Sequence, residues 1–469
     1  MSTVYIRSGR HRVDPNAAPG WANAPRDEAK PVFPMRRSTG GQDNVGFGRR
    51  EEMKTLHVVL AALLTVFVAK AQAQQLPMLH MSGLLGLVET IPLPGDGYMD
   101  RLAADVQGQR LFICGEAAKS LIVVDLRAGK VIHETKGLPA MPKRPFYLPD
   151  SNEIWLTLTD SSVAVISGNT YEVTKIVKLS AFGDPNRGAD NGAYDPVTHL
   201  LYAGVEVFED FAGSGEHGST NASVDVVDTK TAQLVGSIKL PGGDPAGITI
   251  EPSGNRLYVT MGDIVDGNSH VAVVDLEKRA VVVQWTIIGG PVPHTAALDA
   301  AHHRLFVGSR TVAHTGDVGG GHQREPGKLV VMDTETGKVV QVLDSPGGAD
   351  DLHYDAATGR IYFVGTTGTL AVYKEVDPDH FEPIGKVPTG AIAKTGLWVP
   401  ELKRFYSAVP RHYVFTARHG TPDLKTDLLK ELNIALGLTP REKNAGWTTV
   451  MLSDLIIEEA HLMVFDYLP

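Results

Sequence analysis

The chain has 469 residues, with 44 Lys+Arg against 54 Asp+Glu, a formal net charge of −10 and one cysteine. One thiol excludes an internal disulfide framework and any multi-cysteine zinc or iron–sulfur site, and the negative balance weighs against general nucleic-acid or anionic-membrane binding. A hydrophobic content of 43% is enough for a packed core, and 49 glycines with 29 prolines point to a turn-rich, all-β chain.

Residues 1–52 show neither helical nor strand periodicity. At Met53 the pattern changes to MKTLHVVLAALLTVFVAKAQAQQ (53–75): a lysine, an apolar run over Val58–Ala69, then Ala71-Gln72-Ala73. This is the order of a secretory signal peptide, and the run is too short to span a bilayer. Residues 53–73 therefore read as a cleaved signal, and residues 1–52 as a gene-model extension or a disordered tail. Nine basic and six acidic residues precede Met53, and Lys54 and Lys70 lie in the leader, so a chain from Gln74 carries about −15. No transmembrane helix is expected in that mature chain.

From residue 85 onward one unit repeats. A turn is followed by a basic or polar residue and then apolar–aromatic–apolar: RLFI (110–113), EIWL (153–156), LLYA (200–203), RLYV (256–259), RLFV (304–307), RIYF (360–363) and RFYS (404–407). The aromatics Phe112, Trp155, Tyr202, Tyr258, Phe306, Tyr362 and Tyr406 are spaced 43, 47, 56, 48, 56 and 44 residues apart. A second apolar strand follows each: LIVVD (121–125), VAVIS (163–167), VDVVD (224–228), VAVVD (271–275), LVVMD (329–333), LAVYK (370–374) and LMVFD (462–466). Further runs precede and follow these, giving four short strands per unit. That is the signature of a propeller blade, and seven units predict an all-β, seven-bladed β-propeller over 85–469. The last unit ends without an outer strand, while GLVETIPLP (86–94) resembles the outer strand GSIKLPG (236–242). The N-terminal strand is thus expected to complete blade seven and leave no open edge.

RLYVTM (256–261), SHVAVVDLEKRAVV (269–282) and GKLVVMDTETGKVV (327–340) resemble the YVTN-type seven-bladed propellers, including the periplasmic YncE-like proteins. The resemblance covers about 85–469. It implies the propeller fold and a bacterial, periplasmic or secreted address, and it is poor for activity, because such propellers serve as binding modules, as parts of quinoprotein-like enzymes and as proteins without known activity.

The innermost strands of a propeller line its channel. Aligned by the aromatic, their first residues read Asp100, Arg144, Asp190, Ala246, His294, Asp350 and Lys394, and the next tier Arg101, Pro145, Asn191, Gly247, Thr295, Asp351 and Thr395. Two readings are open. In one, Asp190, Asp350, Asp351 and His294 supply ligand atoms while Arg101, Arg144 and Lys394 clamp a carboxylate or phosphate. In the other, charges of alternating sign pair between neighbouring blades.

The connections between second and third strands are long at 204–222, 261–270, 308–327 and 410–460 and open on the same face. They carry His217, His314 and His322, which with His294 form a candidate set for a divalent metal, although no tight H-x-x-x-H spacing occurs. The insertion at 412–460 in blade seven includes an amphipathic helix predicted over Pro422–Leu436 and an apolar stretch at 450–457. No nucleophile elbow or phosphate-binding glycine loop occurs, and Cys114 sits inside a strand pattern.

Two functions follow. The first is an exported, monomeric binding or scaffold propeller that presents its channel face to a small molecule or protein partner. The second is a propeller enzyme, lactonase-like or quinoprotein-like, that uses a metal or quinone cofactor on that face.

Overall fold

In the computed structural model the chain divides into Met1–Leu79 and His80–Pro469. The structure describes residues 84–95, 98–207, 221–242, 245–252, 255–261, 269–290, 292–310, 327–348, 350–390, 393–418, 447–456 and 459–468. The signal-peptide segment, the predicted helix at Pro422–Leu436 and the loop residues His217, His314 and His322 lie outside these residues. Among the described residues no helix is long and apolar enough to cross a membrane.

The described residues form seven four-stranded antiparallel sheets. Their innermost strands are Leu102–Asp105, Pro142–Leu148, Arg187–Asp195, Pro245–Ile250, Pro293–Asp299, Asp351–Asp355 and Gly396–Val399. In blades one to six the strands run in chain order from the innermost to the outer. Blade seven differs: its outer strand is Leu85–Pro92, paired with His461–Tyr467 from Leu85↔Tyr467 to Pro92↔His461. The two ends of the chain thus close one sheet, as the sequence predicts, and no blade is left with an unpaired neighbour.

The apolar runs form strands because each blade is covered on both sides. Phe112, Trp155, Tyr202, Tyr258, Phe306, Tyr362 and Tyr406 are all buried. Successive side chains alternate across the sheet, so Phe112 packs into the seam with blade two while Leu111 and Ile113 pack into the seam with blade seven. Every blade repeats this, and seven apolar clusters fill the seven seams. The outer strands meet solvent on one side and alternate instead, as in Gln233–Lys239.

Two local devices recur. The pairing of third with outer strand shifts by one residue after Val123, Val165, Val226, Val273, Val331 and Val372, the third residue of each apolar motif. Such bulges increase strand twist, which propeller blades require. The aspartate that ends a third strand then caps the following turn: Asp125 accepts from the amides of Arg127 and Ala128, and Asp333 from those of Glu335 and Thr336.

Within the blade-seven insertion, His412–Arg418 and Trp447–Ile456 pair as an antiparallel hairpin, with Arg418 opposite Trp447.

Candidate functional site

The repeat aromatic sets the register of each innermost strand. Phe112 pairs with Ala103, Trp155 with Phe146, Tyr202 with Ala193, Tyr258 with Thr249, Phe306 with Ala297, Tyr362 with His353 and Tyr406 with Leu397. Three residues back from each partner stand Asp100, Lys143, Asp190, Ala246, His294, Asp350 and Lys394. Two residues back stand Arg101, Arg144, Asn191, Gly247, Thr295, Asp351 and Thr395. Blade two therefore differs from the sequence alignment by one residue: Lys143 occupies the mouth position, and Arg144, not Pro145, the tier beneath. Blade two has Leu148 opposite Glu153 where blades one, three, five and six place an aspartate, so the alignment lacked its usual marker there.

The mouth is neutralised by its own charges. The guanidinium of Arg101, 2% exposed, lies 3.2 Å from Asp190, 3.5 Å from Asp100 and 3.5 Å from Asp351. Lys143 reaches Glu116 at 2.8 Å and Asp100 at 3.4 Å. Lys394 reaches Asp350 at 3.0 Å, Glu116 at 3.5 Å and Asp100 at 3.7 Å. Asp350 also contacts Arg310 and lies 3.3 Å from His294. The inter-blade pairing expected from the alternating signs is present at Asp350–Lys394–Asp100. Asp190, however, is paired by Arg101 rather than Arg144.

Sequence reasoning missed Lys143, Glu116 and Arg310. The last two occupy equivalent places, six residues after the basic residue that opens the second strand (Arg110 and Arg304), and that shared offset is the signal that finds them.

The ionisation states follow from burial and these partners. Burial pushes the Glu116 carboxyl up, but Lys143 and Lys394 outweigh it and hold it down at about 2. Burial likewise opposes ionisation of Asp350, and Arg310 and Lys394 override it, keeping Asp350 well below the ordinary carboxylate range. Burial, reinforced by Arg310, holds His294 well below its usual range, so its imidazole is neutral at pH 7. Burial outweighs Arg101 at Asp351 and raises its carboxyl.

Arg144 is the exception. Its Nη1 donates to Asn191 Oδ1 at 2.8 Å, and its guanidinium lies 5.6 Å over the Phe146 ring. Among the described residues no carboxylate lies within ion-pairing distance of it. Burial and then the neighbouring Arg101 lower its pKa to about 10, outweighing the longer-range pull of Asp351, Asp190 and Asp100.

Arg144 lines a cavity of about 270 Å³ in the channel. Asn191, Thr295, Asp351 and His353 add polar groups to it, and Ile248, Ile250 and Leu298 add apolar wall. His353 Nε2 lies 2.8 Å from the Gly396 carbonyl, a contact only an N–H at that nitrogen can make, which leaves Nδ1 as an acceptor in the neutral ring. A larger groove of about 720 Å³ lies between blades two and three, bordered by Trp155, Tyr194 and Lys230.

A cluster of potential metal-ligating His and carboxylate side chains occurs away from the mouth. Asp299, His302 and Glu375 bring their donor atoms within 4.8 Å of one another. Asp299 ends the innermost strand of blade five and His302 lies in the turn that follows, at the strand end opposite His294. Of the histidines proposed from sequence, His294 is engaged by Asp350, and the other three fall outside the described residues.

No family model matches the sequence, and no curated protein matches it. Solved structures do. The chain is similar to hydrazine synthase of Kuenenia stuttgartiensis, at 18% identity and a TM-score of 0.52, over 68% of this chain and 93% of that one. It is also similar to a chain of the mitotic checkpoint complex, at 12% identity and a TM-score of 0.55, over 71% and 91%. At these identities the likeness shows the propeller fold alone.

Proposed function

We propose that this chain is a binding propeller of the YVTN, YncE-like type, exported to the bacterial periplasm or beyond, that holds a small anionic ligand in its channel cavity. One observation carries the reading: Arg144 is a half-buried guanidinium that lines the cavity and, among the described residues, has no carboxylate within ion-pairing distance, whereas Arg101, Lys143, Lys394 and Arg310 are all paired. A buried charge is costly unless compensated, and an anion in the cavity would supply the compensation. Arginine presents a planar fork that suits a carboxylate or phosphate. The volume lies below the roughly 300–1,000 Å³ usual for drug-sized ligands, so the ligand has few heavy atoms.

The enzyme reading has less support. A metal or quinone at the channel mouth would compete for Asp100, Asp190 and Asp350, which are already engaged by Arg101, Lys143, Lys394 and Arg310.

Isothermal titration with acetate, succinate and inorganic phosphate tests the proposal. At least one should bind the wild-type protein in a 1:1 ratio, and Arg144→Gln should abolish that binding while the fold is kept. Equal binding by both proteins, or by neither, would remove Arg144 as an anion receptor. N-terminal sequencing of the secreted product tests the address, with Gln74 as the expected first residue.

A further inference from the structure

We infer that Asp299, His302 and Glu375 form a divalent transition-metal site of the zinc class that clips blade five to blade six. It is separate from the channel cavity and independent of the anion proposal.

The argument starts from the aspartate that ends several innermost strands. In blade one Asp105 is neutralised within its own turn: Arg110 Nε donates to Oδ2 at 2.9 Å, and the Gly108 amide to Oδ1 at 2.8 Å. In blade six Asp355 accepts from Thr358 Oγ1 at 2.5 Å. In blade five the equivalent arginine, Arg304, turns away and binds Asp333, Asp379 and the Pro378 carbonyl. Among the described residues Asp299 is then left with the His302 imidazole as its one basic partner, and Glu375 of blade six lies beside it and shares that imidazole. Their side chains are 3% and 9% exposed.

What joins these two carboxylates is His302 and Tyr354. His302 Nδ1 lies 2.6 Å from Asp299 Oδ2 and 3.2 Å from Glu375 Oε1. Tyr354 Oη lies 3.1 Å from Asp299 Oδ2 and 2.5 Å from Glu375 Oε2. These are four close polar contacts, yet Nδ1 and the phenol offer only one proton each. The Ala301 and His302 amides donate to Asp299 Oδ1 at 3.1 and 3.4 Å, but a hydroxyl can donate to one carboxylate at a time, so Asp299 Oδ2 and both Glu375 oxygens share only the Nδ1 and phenol protons. A divalent cation in place of the Nδ1 proton balances both charges and relieves that shortage.

The donor set selects the ion. One imidazole and two carboxylates suit zinc and its first-row neighbours, which take three protein ligands and a water. Calcium prefers six to eight oxygens, which this corner does not assemble. Zinc–donor distances of about 2.0–2.2 Å require His302 Nδ1 to move slightly away from Asp299. The His302 side chain is 48% exposed, so that movement meets little packing. Such an ion ties the turn of blade five to Glu375, 73 residues further along the chain.

Isothermal titration of zinc chloride into the chelator-treated full chain at neutral pH tests the site. One zinc should bind tightly, with calcium chloride giving no comparable signal, and the unfolding temperature should rise with zinc concentration. His302→Ala and Glu375→Gln should each weaken this binding by more than the roughly 10–100-fold that loss of an outer-shell partner costs. Because His302 is half-exposed, its replacement should leave the apo unfolding temperature nearly unchanged, which separates ligand loss from misfolding. The chain has 17 histidines, so location matters: cobalt(II) should give d–d absorption in the wild type that disappears in His302→Ala. Zinc affinity retained in both variants, or no zinc binding to the wild type, would overturn the assignment.

Discussion

Arg101 donates to Asp190 at 3.2 Å and so joins blade one to blade three, with blade two between them. The same guanidinium lies 3.5 Å from Asp351 of blade six. One side chain thus gathers carboxylates from both sides of the channel, and it does so almost fully buried. The hub is held by charges that no longer reach water, so each is costly to remove singly.

Arg101→Met should therefore destabilise the protein by about 3–5 kcal/mol, the cost of leaving buried charges unpaired. The double variant Arg101→Met/Asp351→Asn should lose less than the sum of its single variants, because each partner's replacement lowers the penalty for the other. Urea unfolding of the four proteins measures this. Additive losses would mean that the pair does not interact energetically.

Arg144 should behave in the opposite way. Its charge is half-buried beside Arg101 with no carboxylate of the described residues at ion-pairing distance, so Arg144→Gln should leave the ligand-free protein as stable as the wild type or more stable. Binding groups often carry such a cost to stability. Thermal unfolding without anion decides it: a marked loss of stability would make Arg144 a structural residue.

Acid should weaken the fold in two stages. Burial holds His294 and His353 below their ordinary value of 6.5, so below that pH the unfolded chain takes up protons that the folded chain refuses. Their contribution is complete above pH 6.5 and declines beneath it. Glu116, held at about 2 against an ordinary 4.5, contributes stability above pH 4.5 that fades as the pH falls toward 2. Asp351, raised above 3.8, has the opposite sign and offsets part of this second stage. Urea midpoints measured from pH 8 to pH 4 should fall with pH, and His294→Gln should flatten the first stage. A constant midpoint between pH 8 and pH 5 would contradict these assignments.

Gly247 is required for closeness rather than for conformation. A Cβ there would lie 2.6 Å from Thr260 Oγ1, 2.8 Å from the Thr295 carbonyl carbon and 3.0 Å from the Ala296 nitrogen. Blade five's innermost strand thus passes directly against blade four at this point. Gly247→Ala should cost about 1–3 kcal/mol through overpacking. A variant with an unchanged unfolding midpoint would show that the strands can separate freely.

The single thiol offers a probe of global opening. Cys114 is fully buried in the seam of blades one and two, and burial pushes its pKa well above 9.0. It should resist a thiol reagent in the native state and react at the rate of unfolding under mild denaturant. Rapid labelling of the native protein would show that the seam opens locally.

Blade number and closure were legible in the sequence because they rest on local signals. Each aromatic and each apolar run reports its own strand, and GLVETIPLP at the start matches the outer strand missing at the end. The charges around the channel were legible as a ring of types, but not as a set of partners. Arg101 and Asp190 stand 89 residues apart, and only the closed ring brings them together. Blade two was misplaced by one residue because its innermost strand ends in Leu148 rather than aspartate, and a one-residue shift exchanges the roles of Lys143 and Arg144. Asp299, His302 and Glu375 carry no shared motif, since two belong to a strand end and the following turn of blade five and the third to a strand of blade six. Strand pattern is a property of neighbours along the chain, so the sequence by itself determined the propeller. Charge compensation is a property of neighbours in space, so only the tertiary structure decided which cation has no carboxylate at ion-pairing distance and which carboxylates share a single imidazole.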